Sequence, residues 1–461
     1  FLNTGGIMNK NTATLFSNVY LVDQGEIIEI FNENQTLKMK QIKKFTYNNL
    51  VSKDEYNKIK NKSFSEQCRD LKKILYDSVE EHLVSDVPLG IMFSSGIDSA
   101  LIAKIACDIS KKKLFLFKYD SKLKESLNDN LIAEEFANNN NCELVKTFLD
   151  ENEILIDIPK NIYFFESINK PDSTVLSSCT KKAKELGYKV LLSGDCADEL
   201  FLGYQKHIEY YFKKKISSGK IFNTLKKMIS VLIPNNNNFE DQDFNHLLLN
   251  EEREIIAFIL DNLLFSSTRG LNLNLNLKTY KFEKNKALSL TSGIMLDEII
   301  FFLKRFLIRS DIYGMRNGVE IRIPFLDKRN IQYCLNTPPN QKIKFEFKMN
   351  KKVLPAFRGK QHLKEIARMI NLPKKIIDKN KAGTSLNLKN SLFKIFPLFS
   401  YKNYSDHFSL SEQDLKNSID FKKPFAWYNI YNIFCTEIFL RIYKEKIHYK
   451  SIQEEIRSLL N

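Results

Sequence analysis

Four short apolar runs, each closed by small or polar residues, punctuate the first half of the chain. Leu89-Gly-Ile-Met-Phe93 ends at Ser94-Ser95-Gly96, and Leu114 to Phe117 ends in a polar loop. Leu144 to Phe148 follows a stretch of helical spacing over 129–139, and Val190 to Leu192 runs into Ser193-Gly194-Asp195. Continuous apolar runs of this length, bounded by turn residues, read as strands buried on both faces. Ala100 to Asp108 reads as an apolar helix after the first run. Ahead of it, Cys68, Leu71, Leu75, Val79 and Leu83 recur at helical spacing, so 65–85 is an amphipathic helix, opened by a capping box at Ser63-x-x-Glu66. Strands alternating with helices imply an α/β fold: a doubly wound parallel sheet with right-handed crossovers.

The ends of the chain are patterned differently. Residues 1–47 are strand-rich: Thr12 to Val22 contains an alternating segment, and Ile27 to Phe31 follows Gly25 as a second short strand. Residues 48–64 are polar and lysine-rich and read as a linker. Residues 206–290 carry little pattern; Asn235–Asn238 and the Leu-Asn repeat 271–277 look like loops or insertions. From Leu296 the chain is helical and aromatic-rich, with Phe425 to Phe439 a packing helix and the lone Trp427 a core residue.

Composition narrows the class. A chain of 461 residues has room for two or three domains, and 43% hydrophobic residues fits a soluble globular protein. No run of about eighteen apolar residues occurs, so no membrane helix is expected. Residues 1–10 lack a basic region followed by an apolar one, so no signal peptide is expected either. The seven cysteines, scattered and without a Cys-x-x-Cys, read as reduced thiols, and a cytoplasmic location is expected. The six scattered histidines argue against a zinc site. The net charge of +15 raises nucleic-acid binding, but no arginine-rich stripe with interleaved aromatics is present, and the lysines lie along the whole chain. Neither nucleic acid nor membrane is expected as a partner.

The chemistry concentrates in two turns. Ser94-Ser95-Gly96-Ile97-Asp98-Ser99 joins the first strand to the first crossover helix. A strand, a tight small-residue turn and a helix start make a phosphate cradle, with turn amides and the helix N-terminus facing the anion. Hydroxyls of Ser94, Ser95 and Ser99 add donors. Asp98 would repel phosphate unless a divalent cation sits between them. The second turn, Ser193-Gly194-Asp195-Cys196-Ala197-Asp198-Glu199, follows the strand 190–192 and carries three carboxylates. If the two strands are neighbours, both turns face one cleft, and Asp98 and Asp198 can share a Mg²⁺. The plainer alternatives are a strand-to-helix turn rich in small residues and a solvated acidic helix start.

The first turn resembles the pyrophosphate loop of the ATP-pyrophosphatase families, Ser-Gly-Gly-x-Asp-Ser; it is no Walker loop, which needs Gly-x-x-x-x-Gly-Lys. Two more blocks, Arg309-Ser-Asp311 to Met315 with Glu320-Ile-Arg322-Ile-Pro324-Phe-Leu-Asp327, and Leu372-Pro373 to Lys381-Ala-Gly383, complete an ordered set. Together the blocks resemble the synthetase domain of glutamine-dependent asparagine synthetase, from about Ser65 to beyond Trp427. β-Lactam-forming synthetases and other amide-forming relatives share that scaffold.

The resemblance implies an adenine-nucleotide α-hydrolase-like sheet over 65–461 with a helical C-terminal region. Residues 1–50 would be the β-rich tail of a glutaminase-type domain. It implies ATP and Mg²⁺ as cofactors, with Phe93, Ser94, Ser95, Gly96, Asp98 and Ser99 around the phosphates and Asp98 and Asp198 on the metal. Phe117 is the best match for the strand whose backbone meets adenine. Ser193 and Gly194 would flank the acyl centre, Asp195 would help deprotonate the attacking ammonium, and Lys381 would meet the α-phosphate; Glu320 and Arg322 read as a structural pair. The implied reaction is ATP-dependent conversion of aspartate to asparagine through a β-aspartyl-adenylate, with release of AMP and pyrophosphate. The implied partners are small molecules: the carboxylate, ATP, and ammonia or glutamine; a homodimer is left open. The family's glutaminase nucleophile is an N-terminal cysteine, and no cysteine precedes Cys68, so this chain is expected to use ammonia. Departures from the pattern are Ser95, Cys196 and Leu202 in place of glycines, Asp195 where glutamate is common, and Thr384 in place of an aromatic. They leave room for another carboxylate substrate (a sugar acid, a peptide or a β-amino acid) or a non-catalytic synthetase-like binding protein.

Overall fold

In the computed structural model, residues 14–110, 112–120, 126–168, 174–204, 279–346, 356–379, 388–421 and 426–460 are described. An antiparallel hairpin, β1 (Glu26–Glu33) and β2 (Thr36–Lys44), comes first. Two helices follow, α1 (Lys53–Asn61) and α2 (Phe64–Leu83). Five parallel strands then build the central sheet: β3 (Leu89–Met92), β4 (Leu114–Asp120), β5 (Cys142–Phe148), β6 (Val190–Leu192) and β7 (Glu320–Arg322). Their spatial order is β5-β4-β3-β6-β7. The chain moves outward from β3 through β4 to β5, then returns to β3's other side at β6. The crevice beyond the carboxyl ends of β3 and β6 is therefore the topological switch point, where open α/β sheets bind ligands.

The crossovers are helical. α3 (Ile97–Ile109) joins β3 to β4, α4 (Ser126–Asn139) joins β4 to β5, and α5 (Glu151–Phe165) and α6 (Thr174–Glu185) lie between β5 and β6. Alternation along the strands sorts side chains to two faces. Ile91, Leu114, Leu116 and Leu192 pack with α2, α3 and the helix Gln361–Met369 in the main core. Phe117 and Leu191 point the other way, onto Cys179 and Ala183 of α6 and onto Val319. A second core joins α5 to the C-terminal helices, including Ala426–Tyr443 and Tyr449–Leu460.

Most elements fall where the pattern places them. α2 carries both halves of the Ser63–Glu66 capping box, and Trp427 is half-buried against the second core. Three readings change. The supposed linker 48–64 is largely helical: Ser52 caps α1, and Tyr56 and Ile59, three apart on one face, are buried among its lysines. Over 14–22 the chain turns instead of forming a strand, with the Thr14 hydroxyl donating to the Val19 carbonyl and only Tyr20 in a bridge. The sheet gains a fifth strand, β7, whose three residues Glu-Ile-Arg are too short and polar to signal one. The segments 235–238 and 271–277 lie outside the described residues. All seven cysteines are free thiols, and among the described residues no helix is long and apolar enough to cross a membrane.

Candidate active site

The two turns meet at the switch point, back to back. A Cβ on Gly194 would lie 2.5 Å from the Ser99 nitrogen and 2.7 Å from the Asp98 carbonyl carbon, so only glycine lets the second turn touch the start of α3. Phe93, buried against Phe136, extends the ladder by donating its amide to the Phe117 carbonyl at 2.9 Å. The chain then wraps around one hydroxyl. Ser99 Oγ accepts from the Ser94 amide at 3.0 Å, contacts Ser94 Oγ at 3.0 Å and donates to the Gly96 carbonyl at 3.2 Å. Gly96 caps α3, whose first-turn amides have no acceptor within the helix.

Ser95 departs from expectation. Its φ is +61°, the left-handed region, and its buried hydroxyl donates to the Asp129 carbonyl at 2.8 Å. The side chain therefore ties the loop to α4 and is not a phosphate donor; only its backbone amide is left for that role. Cys196 (φ +72°) and Leu202 (φ +55°) are left-handed too. All three positions where the resembled pattern has glycine thus hold the conformation glycine favours, at a cost of about 1–2 kcal/mol each for a residue with a Cβ.

The second turn leads from β6 into a short helix, α7 (Ala197–Phe201). The Ser193 amide donates to the Arg322 carbonyl at 2.8 Å, and the Asp195 amide to Ser193 Oγ at 3.2 Å. Asp195 is half-buried at the turn's apex. Asp198 and Glu199, on the first turn of α7, are buried. Asp198 Oδ1 and Asp98 Oδ2 converge on one cation, the Lys360 ammonium, at 2.7 and 2.5 Å. Burial pulls that ammonium's pKa down, and the two carboxylates more than offset it, so Lys360 titrates above the usual lysine value. Burial pushes Glu199 up to about 7; the Tyr204 hydroxyl, donating at 2.6 Å, opposes the rise, and Asp198 and Glu298 add to it.

Lys360 was not visible in the sequence pattern as a site residue. It lies 262 residues from Asp98, in a chain rich in lysine, and its φ of +58° carries no composition signal. The one cue was Gly359-Lys360 opening the amphipathic helix Gln361–Met369. Two glycines make its approach feasible: a Cβ on Gly203 would overlap Asp198 Oδ1 and Lys360 Cε, and a Cβ on Gly359 would overlap the Leu202 carbonyl oxygen. A second lysine, Lys379, pairs with Asp129 at 2.6 Å and reaches toward the Ser95 carbonyl at 3.5 Å.

Of the remaining expected residues, Phe117 lies one strand from the loop with its side chain buried on the α6 face and its carbonyl held by Phe93. Lys381 and Thr384 lie outside the described residues. Glu320 and Arg322 pair at 2.8 Å on the edge strand, and Arg322 also holds the His82 and Val84 carbonyls, so they form a structural link. A divalent ion suits the crevice on one ground: two carboxylates from different turns already converge on a single positive centre. Mg²⁺ typically takes one or two protein carboxylates and completes its shell with phosphate and water oxygens.

Comparison with known proteins gives the same direction. A family model described as asparagine synthase matches residues 70–415. Asparagine synthetase [glutamine-hydrolyzing] 1 of Bacillus subtilis is 26% identical over 298 residues, 60% of this chain and 44% of the relative. Asparagine synthetase [glutamine-hydrolyzing] 3 of the same organism is 25% identical over 319 residues, 61% of this chain and 44% of the relative. Asparagine synthetase B [glutamine-hydrolyzing] of Escherichia coli is 28% identical over 177 residues, 35% of this chain and 31% of the relative. The chain thus spans less than half the length of these relatives. The family match covers both turns, the strand β7 and Lys360, and with the parallel sheet and its crevice it establishes that the chain belongs to the asparagine synthase family.

Proposed function

We propose that the chain activates a carboxylate with ATP and transfers the acyl group to ammonia. Residues 65–461 would be the synthetase and residues 1–50 the end of a glutaminase-type domain. The observation that carries this reading is the Asp98–Lys360–Asp198 cluster at the switch point, beside a small-residue loop at the start of α3. The relatives' names, asparagine synthetases, support the β-carboxylate of aspartate as that carboxylate.

In the first step a substrate carboxylate oxygen attacks the α-phosphorus, the bond from that phosphorus to the α,β-bridging oxygen breaks, and pyrophosphate leaves on that oxygen with the electron pair. The backbone amides of 95–98 and the hydroxyl of Ser94 receive the departing phosphates. Lys360 turns from the two carboxylates toward the α-phosphate, where negative charge develops, with Lys381 as a second cation. Asp98 and Asp198 would hold Mg²⁺, which when bound supplies the charge that neutralises the pyrophosphate. In the second step ammonia attacks the acyl carbon, the mixed anhydride bond breaks and AMP leaves. Asp195, on the turn beside Ser193 and Gly194, takes the proton from the attacking nitrogen.

A second reading is a related enzyme acting on a different carboxylate; Asp195 and Cys196, which depart from the resembled pattern, lie on the turn that this proposal assigns to the acyl centre. A panel settles the choice. Exchange of labelled pyrophosphate into ATP is expected with aspartate; exchange with another acid alone would redirect the substrate, and exchange with none would refute activation.

A further inference from the structure

Lys342 ends the short helix Pro339–Lys342 and is wholly buried. Its ammonium donates to the Leu200 carbonyl at 3.0 Å and the Cys334 carbonyl at 2.6 Å, and touches Met295 Sδ at 3.0 Å. Leu200 lies in the last turn of α7, and Cys334 in the last turn of the helix Lys328–Leu335. Helix C-termini carry unsatisfied carbonyls and partial negative charge, so one ammonium bridges two of them. Leu200, Met295 and Cys334 are all buried, and a methionine of the same length would pack there without the cost of burying a charge. Packing alone therefore does not account for a lysine.

α7 needs such a hold. It has five residues, too few to be stable by itself, and left-handed residues bound it on both sides. Three of its carbonyls are taken up from outside the helix or just beyond its end. Gly203 N donates to the Asp198 carbonyl at 2.8 Å, Lys342 Nζ to Leu200, and Lys360 N to Phe201 at 2.9 Å. The residue after Leu200 thus carries the backbone of Lys360, whose ammonium reaches Asp98 and Asp198. We propose that Lys342 is a positioning residue of the site: by clamping the Leu200 carbonyl it sets where α7 presents Asp198 and where Lys360 docks. Burial lowers its pKa to about 8, so the clamp is charged at neutral pH. The proposal rests on the phosphate-activating reading of the crevice.

The test compares the full chain with Lys342→Met, Lys342→Gln and a stability control, Ile376→Val, a trimmed residue of the same core. Affinity for α,β-methylene-ATP is measured by calorimetry with Mg²⁺, and the Mg²⁺ concentration for half-maximal pyrophosphate exchange is measured alongside thermal melting. Lys342→Met is expected to fold, to weaken analogue binding about tenfold and to raise the half-maximal Mg²⁺ by a similar factor, as for groups that orient metal ligands. Ile376→Val is expected to melt earlier with both constants unchanged. If Lys342→Met melts earlier and keeps wild-type constants, its role is structural only and the proposal fails. Should Lys342→Met not fold, Lys342→Gln, which keeps N–H donors without charge, decides by the same constants. Wild-type chain that binds the analogue but exchanges with no carboxylate would refute the activation reading while leaving the binding comparison intact.

Discussion

Gly203→Ala tests the geometry of the crevice with a single methyl group. The added Cβ would overlap Asp198 Oδ1 and Lys360 Cε and lie 2.8 Å from Asp198 Cγ. Carbon atoms pack at roughly 3.5–4.0 Å, so the carboxylate and the lysine stem must move apart by about 1 Å. Asp198 cannot simply retreat, because it is buried on a helix whose Asp198, Leu200 and Phe201 carbonyls are all bonded. Forcing a methyl into such a place costs about 1–3 kcal/mol of stability. A misplacement of about 1 Å at a reacting centre costs about 100-fold in rate. The assay is carboxylate-dependent pyrophosphate exchange beside a melting curve. Gly187→Ala is the control: its φ of +82° makes alanine costly there by about 1–2 kcal/mol, but nothing lies within 4 Å of the new Cβ. Gly203→Ala should lose exchange about 100-fold and Gly187→Ala should keep it at similar stability. Equal exchange in the two variants would refute the idea that the Asp198–Lys360 approach matters.

Four further outcomes are expected. Asp98→Asn should abolish Mg²⁺-dependent turnover, and unchanged pyrophosphate release would sink its assignment as a metal ligand. Asp195→Asn should slow amide formation from added ammonia more than it slows exchange; a normal amide rate would remove Asp195 from the second step. The 461-residue chain should make amide from ammonia and release no glutamate from glutamine, and glutamate release would reveal an amidase site. His362, buried with Nε2 2.9 Å from Gln67 Oε1, is held by burial and by the Lys342 charge at a pKa of about 3. The unfolded chain binds that proton from about pH 6.5 downward and the folded chain does not, so stability is full above 6.5 and falls toward pH 3, by about 2 kcal/mol at pH 5. His362→Gln should flatten denaturant-derived stability over pH 5–6.5; an unchanged slope contradicts the buried neutral ring.

The sheet and the two turns were legible because they are written locally. Val190 to Leu192 and Leu89 to Phe93 are short apolar runs with small residues after them, and the strands observed are Val190–Leu192 and Leu89–Met92. β7 was not legible, since its place comes from pairing with β6 and not from its own three residues. At the site, Asp98 and Asp198 were found because each ends a recognisable strand-turn unit. Lys360 was missed because what selects it is spatial: two glycines that clear its path and two carboxylates that receive it. Ser95 was misjudged for a related reason, as the sign of φ and the acceptor at Asp129 are set by how α4 packs on the loop.

The account turns on whether the crevice activates a carboxylate at the α-phosphate of ATP. The most direct measurement is incorporation of labelled pyrophosphate into ATP by the purified chain, with Mg²⁺, with and without aspartate, beside Lys360→Met. Label should enter ATP only when aspartate and Mg²⁺ are both present, and Lys360→Met should lose at least about 100-fold, as when a preorganised charge is removed from a developing oxyanion. Exchange that ignores the carboxylate, or that survives intact in Lys360→Met, would contradict it.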